Sequence, residues 1–93
     1  MTAIDVRRID DGDPLVFEVK VREAASATQH RVTLSREDLQ RLGGGVDPEN
    51  LIDAAFRFLL EREAKESILA RFDVSVIAGY FPEFEQNLPR YLS

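Results

Sequence analysis

Leu15, Phe17, Val19 and Val21 alternate with Val16, Glu18, Lys20 and Arg22. A period of two is the pattern of a strand buried on one face. His30, Val32 and Leu34 alternate with Arg31, Thr33 and Ser35 in the same way. The small, polar stretch Glu23–Gln29 between them predicts a hairpin loop. Ala3–Ile9 is a weaker strand with Ile4 and Val6 on one face, and Asp10-Asp11-Gly12-Asp13-Pro14 is dense turn chemistry before the next strand. The first part of the chain, about 3–35, therefore predicts a three-stranded antiparallel β-meander.

After Ser35 the period changes. Ser35 suits an N-cap, Glu37 and Asp38 place negative charge in a first turn, and Gly43-Gly44-Gly45 permits a left-handed exit, which predicts a short helix over Arg36–Leu42. Asp47-Pro48-Glu49 is a second start. Leu51, Ile52, Ala55, Phe56, Leu59 and Leu60 then form an apolar stripe opposite Asp53, Arg57 and Glu61, which predicts a long helix from Pro48 to Ala64. Further helical turns are expected at Lys65–Arg71, at Val74–Gly79 behind Asp73, and after Pro82-Glu83, where Pro89 limits their length. Strands come first and helices follow, about 36–92. The expected fold is α+β: a small three-stranded antiparallel β-meander followed by one long helix and several short helices, in a single domain spanning 1–93.

The set His30-Arg-Val-Thr-Leu, Phe58-Leu-Leu-Glu-Arg-Glu, Glu66-Ser-Ile-Leu, Phe72-Asp, Val76-Ile and Tyr80-Phe-Pro-Glu resembles a family of small uncharacterised prokaryotic proteins. The resemblance covers roughly residues 17–85. It implies a self-contained domain and carries no catalytic or binding residue. Members of that family tend to have proline where this chain has Ala64, so the long helix is expected to continue here instead of breaking before Lys65.

Composition excludes several classes of chemistry. With no cysteine among 93 residues, disulfides, Cys-ligated zinc, iron–sulfur clusters and thiol catalysis are ruled out. A single histidine argues against a His-rich metal site, and no metal or cofactor is expected. No apolar run approaches the ~20 residues of a membrane span. The start of the chain lacks the apolar core of a signal peptide, so a cytoplasmic protein is expected. The net charge is −5, of which residues 47–93 carry −4. That balance argues against general nucleic-acid coating.

Each candidate chemical group has a structural counterpart. His30 lies on the apolar face of its strand without a spaced nucleophile or orienting acid, and is expected to bond a neighbouring strand or helix end. Asp10, Asp11 and Asp13 lack the spacing of a calcium loop and read as a solvated turn. Gly43–Gly45 follow a helix, without the lysine of a phosphate loop. Glu61, Glu63 and Glu66 are interleaved with Arg62 and Lys65, and Glu61 and Lys65 have the spacing of a helical ion pair.

Two surfaces remain. If Phe17, Val19 and Val21 point inward, Lys20, Arg22 and Arg31 point outward, with Arg7 beside them, as a basic sheet face. Phe72, Tyr80, Phe81, Phe84 and Tyr91 fall within twenty residues and divide between core and interface. The expected function is a small non-enzymatic interaction or regulatory protein acting through a protein–protein surface, with a homodimer or another protein as partner. The alternative is a nucleic-acid-binding accessory protein that uses the basic sheet face.

Overall fold

The computed structural model describes residues 2–92; Met1 and Ser93, the two ends of the expected 1–93 domain, lie outside the described residues. Strands β1 (Thr2–Asp10), β2 (Leu15–Glu23) and β3 (Ser26–Leu34) form an antiparallel meander. Leu15, Phe17, Val19 and Val21 of β2 and Val32 and Leu34 of β3 are buried on one face, as the alternation requires. The β2–β3 loop is shorter than expected, because Lys20, Val21, Arg22 and Glu23 pair with Gln29, Thr28, Ala27 and Ser26. Ladder hydrogen bonds are made by the backbone, so polar side chains do not prevent that pairing.

The sheet is four-stranded and mixed, not a three-stranded meander. Arg71–Asp73 forms β4, parallel to β3 at its outer edge, with Arg31, Val32 and Thr33 opposite Arg71, Phe72 and Asp73. The helical turns expected across Lys65–Arg71 shrink to one 3-10 turn at Lys65–Ser67. Beyond it, the Arg31 amide donates to the Ala70 carbonyl at 2.7 Å and draws the chain alongside β3.

Helix α1 (Arg36–Gly43) begins where Ser35 Oγ accepts from the Asp38 amide at 3.0 Å. It ends at Gly44, whose φ of 60° is costly for residues with a Cβ. Helix α2 (Pro48–Leu60) is shorter than the expected Pro48–Ala64. The amides of Arg62 and Glu63 both return to the Leu59 carbonyl, the Arg62 guanidinium reaches the Phe58 carbonyl at 3.2 Å and lies 3.6 Å over the Phe58 ring, and Ala64 is extended at φ −69°, ψ 154°. Alanine in place of proline therefore does not prolong the helix. The expected Glu61–Lys65 pair is also absent: Lys65 Nζ meets Glu66 at 2.6 Å and Glu23 at 3.6 Å, while Glu61 accepts from the Tyr91 hydroxyl.

Helix α2 is buried on two sides. Of the expected stripe, Leu51, Ile52, Ala55, Phe56 and Leu59 are buried and Leu60 is half-buried at the helix end, but Ala54 and Phe58, off that stripe, are also buried. The second side faces the C-terminal segment, which holds α3 (Ile77–Tyr80) and α4 (Phe84–Asn87). The Phe58 ring meets Phe81, Phe84 and Tyr91 edge-on, with centroids 5.9, 5.0 and 6.0 Å away. Sheet, α2 and this segment make three layers around one buried cluster.

Candidate functional site

An apolar groove opens beside β4. It is lined by Leu59, Ile68, Leu69, Phe72, Val76, Ile77, Tyr80 and Phe81, with Glu63 and Ser67 as its polar members, and encloses about 160 Å³. The parallel docking of β4 builds one wall, and the turn that leads into α3 builds the other. Asp73 joins the two: its carboxylate accepts from the Thr33 hydroxyl at 2.5 Å and from the Ser75 amide at 3.0 Å. Burial works to raise the Asp73 pKa, but these hydrogen bonds outweigh it and hold the carboxyl below its ordinary value. The groove rim carries two exposed large side chains, Leu69 at 47% and Tyr80 at 68%.

Of the five aromatics singled out in the sequence, three meet at this groove: Phe72, Tyr80 and Phe81. Phe84 does not; it is 1% exposed, packed on Phe58 in the core. Tyr91 is half-buried against the same ring, and its backbone carbonyl accepts from Arg57. The segment therefore supplies mainly the third layer of this chain, because Phe58 presents α2 with a second apolar side. Leu69 and Ile68 were not anticipated as groove residues. Their signal was an adjacent apolar pair in an otherwise polar stretch, but its meaning depends on β4.

The cations predicted for the outward sheet face are there, and most are engaged. Arg31 and Arg7 each reach Glu18 at 3.0 Å, and Arg22 reaches Asp5 at 2.8 Å. Hydrogen bonds from Arg31 and then Arg7 hold the Glu18 carboxyl below its ordinary pKa. Lys20 and Arg71 stand exposed. The register places five cations on this face (Arg7, Lys20, Arg22, Arg31 and Arg71) against three carboxylates (Asp5, Glu18 and Asp73). Such alternation is suited to holding strands together and less suited to tracking a phosphate chain.

His30 is buried, with Nδ1 2.8 Å from the Leu69 carbonyl and Nε2 2.8 Å from the Thr28 hydroxyl. A carbonyl oxygen only accepts, so Nδ1 carries a proton and donates; in the neutral ring Nε2 then accepts from Thr28. Both ring nitrogens are thus occupied by structural bonds. Lys65, 4% exposed, ties the 3-10 turn to the β2–β3 hairpin through Glu23, and its pKa is raised, first by the hydrogen bond to Glu66.

The Asp10–Asp13 turn is exposed but fastened. Arg36 donates from Nη2 to the Asp11 carbonyl at 2.7 Å and from Nε to the Gly12 carbonyl at 3.1 Å, while Asp13 Oδ1 accepts from the Arg36 amide at 3.1 Å. Among the described residues, no group of three or more His, Cys, Asp or Glu is arranged to hold a metal ion, and no helix is long and apolar enough to cross a membrane.

No protein-family model, no curated protein and no solved structure matches this chain.

Proposed function

We propose that the protein is a non-enzymatic interaction module whose partner inserts one large apolar side chain into the Leu69–Tyr80 groove. The observation that carries this is a pre-formed apolar recess flanked by two exposed large side chains. An apolar cavity of ~150 Å³ can hold a benzene-sized group, so about 160 Å³ suits a single aromatic or leucine-sized anchor. Glu63 is the one charged residue of the lining, which favours a partner segment with a lysine or arginine next to that anchor. The non-enzymatic part rests on His30, whose two nitrogens are spent within the fold.

Selection of displayed peptides on the immobilised protein tests this proposal. The expected result is enrichment of segments with a large apolar residue beside a cation. Their binding should be lost in Leu69→Ser and weakened in Glu63→Lys, with both variants folded. Absence of enrichment, or peptides indifferent to both substitutions, would overturn the proposal.

A second function, nucleic-acid binding through Lys20, Arg22 and Arg31, is favoured by the excess of cations on the sheet face. Its test is a titration with single-stranded RNA at physiological salt. Binding tighter than the non-specific range of ~10⁻⁴–10⁻⁶ M, abolished by Lys20→Glu with Arg31→Glu, would promote it over the groove.

A further inference from the structure

The sheet ends on one side at β1, which is nine residues long and pairs only with β2. Among the described residues, no backbone hydrogen bond outside the β1–β2 ladder reaches β1. A long edge of this kind is a template for another strand unless something blunts it. Its far end is blunted, because the register slips between Arg8 and Asp10 and Ile9 bulges out with 39% of its surface exposed. Ile4 and Val6 on the core side of the strand are half-buried, and Ile4 lines an open groove of about 360 Å³ with Leu60, directly under the edge.

The charges on β1 select what can pair there. Asp5 and Arg7 lie on the outward face, two residues apart on either side of Val6. A second copy of β1, antiparallel about a two-fold axis normal to the sheet, must keep like faces together. This permits two-fold centres at a residue but not between residues. Centring on Asp5 sets Asp5 against its own copy, and centring on Arg7 does the same for arginine. Like charges directly opposite are destabilising. Centring on Val6 sets Asp5 against the partner's Arg7 and Arg7 against the partner's Asp5, with the two valines stacked on the axis.

This register also continues a charge row already present. Arg31, Glu18 and Arg7 are linked across β3, β2 and β1 at 3.0 Å per step. The partner's Asp5 would come next, itself held by the partner's Arg22 as Asp5 is held by Arg22 here. The alternation cation, anion, cation, anion, cation then runs unbroken across two copies. From this we infer that the protein forms a two-fold dimer by antiparallel pairing of β1 with β1 centred on Val6, fusing two four-stranded sheets into one of eight. The pairing uses the sheet edge opposite β4, so the Leu69–Tyr80 groove remains open in both copies, and either assignment can fail without the other.

Sedimentation across micromolar to submillimolar concentration should show a dimer. Asp5→Arg and Arg7→Asp should each be monomeric, because each sets like charges opposite one another across the axis. Mixed together, the two variants should restore a dimer containing one chain of each, since every cross-axis pair is then opposite in sign. Circular dichroism checks that both variants fold. Because the chain has no cysteine, Val6→Cys supplies a second readout: under mild oxidation it should give a disulfide-linked dimer, while Glu37→Cys on α1 should not. A wild-type monomer throughout, a dimer that both charge variants leave intact, or failure of Val6→Cys to cross-link would each overturn the inference.

Discussion

The imidazole of His30 donates from Nδ1 to the main-chain oxygen of Leu69, thirty-nine residues further along, at 2.8 Å. This bond joins β3 to the segment that becomes β4, and Leu69 is also a wall of the groove. Replacing His30 with leucine leaves a carbonyl and the Thr28 hydroxyl without their partner. The expected loss is about 1–3 kcal/mol, the usual range for a buried polar group left unsatisfied. Denaturant unfolding measures it. Hydrogen exchange should show faster opening at the Arg71–Asp73 amides than in the rest of the sheet; uniform acceleration would mean that His30 does not act through β4.

Phe56 lies at the contact between sheet and helix, with ring centroids 5.3 Å from His30 and 6.0 Å from Phe72. It is fully buried. Phe56→Ala should cost about 3–5 kcal/mol through lost transfer energy and the cavity left behind. A loss below about 2 kcal/mol would show that the surrounding layers collapse into the space.

Arg8 grips Glu49 with two hydrogen bonds, from Nη2 at 2.7 Å and from Nε at 2.8 Å, and so fastens the edge strand to the first turn of α2. The Arg8 hydrogen bond holds the Glu49 carboxyl below its ordinary value of 4.5. A depressed carboxyl contributes stability that is complete above the unfolded value and is lost as pH falls through the folded one. Glu49 is partly exposed, so the pair contributes only about 0.5–1 kcal/mol. Glu49→Gln should therefore lower stability by that amount at neutral pH and flatten the acid limb below about pH 4.5. An unchanged acid limb in thermal melts would remove the pair from the stability balance.

Ala64 sits at φ −69°, within the range a proline ring fixes, and its amide takes no part in the turn hydrogen bonds around it. Ala64→Pro should stabilise the protein by about 0.4–1 kcal/mol by restricting the unfolded chain. A lower melting temperature would instead indicate a clash between the new ring and the backbone of Glu63.

The strands β1 to β3, the start of α2 and the left-handed exit at Gly44 were legible in the sequence, because each depends on local signals: alternation of side chains across a pleat, a proline after an aspartate, and glycine where φ is positive. The ion pairing of the outward sheet face was only partly legible. Strand alternation showed which side chains point outward, but the meetings of Arg31 with Glu18 and of Arg22 with Asp5 depend on the cross-strand register. The groove was hidden more deeply. Ile68 and Leu69 acquire their place only when Ala70 bonds Arg31 and Phe72 pairs with Val32, contacts between residues about forty positions apart. A parallel edge strand of three residues is too short to leave a period in its sequence.

What the sequence determined by itself is the change of period after Ser35, and with it the α+β class, because amphipathic spacing is a property of neighbouring residues. Tertiary structure alone decided the fate of the C-terminal aromatics. Phe58 lies off the predicted stripe, and its burial gives α2 a second apolar side on which Phe81, Phe84 and Tyr91 close. Whether a ring becomes core or surface depends on the area another layer offers it, and that area exists only once the layers have packed.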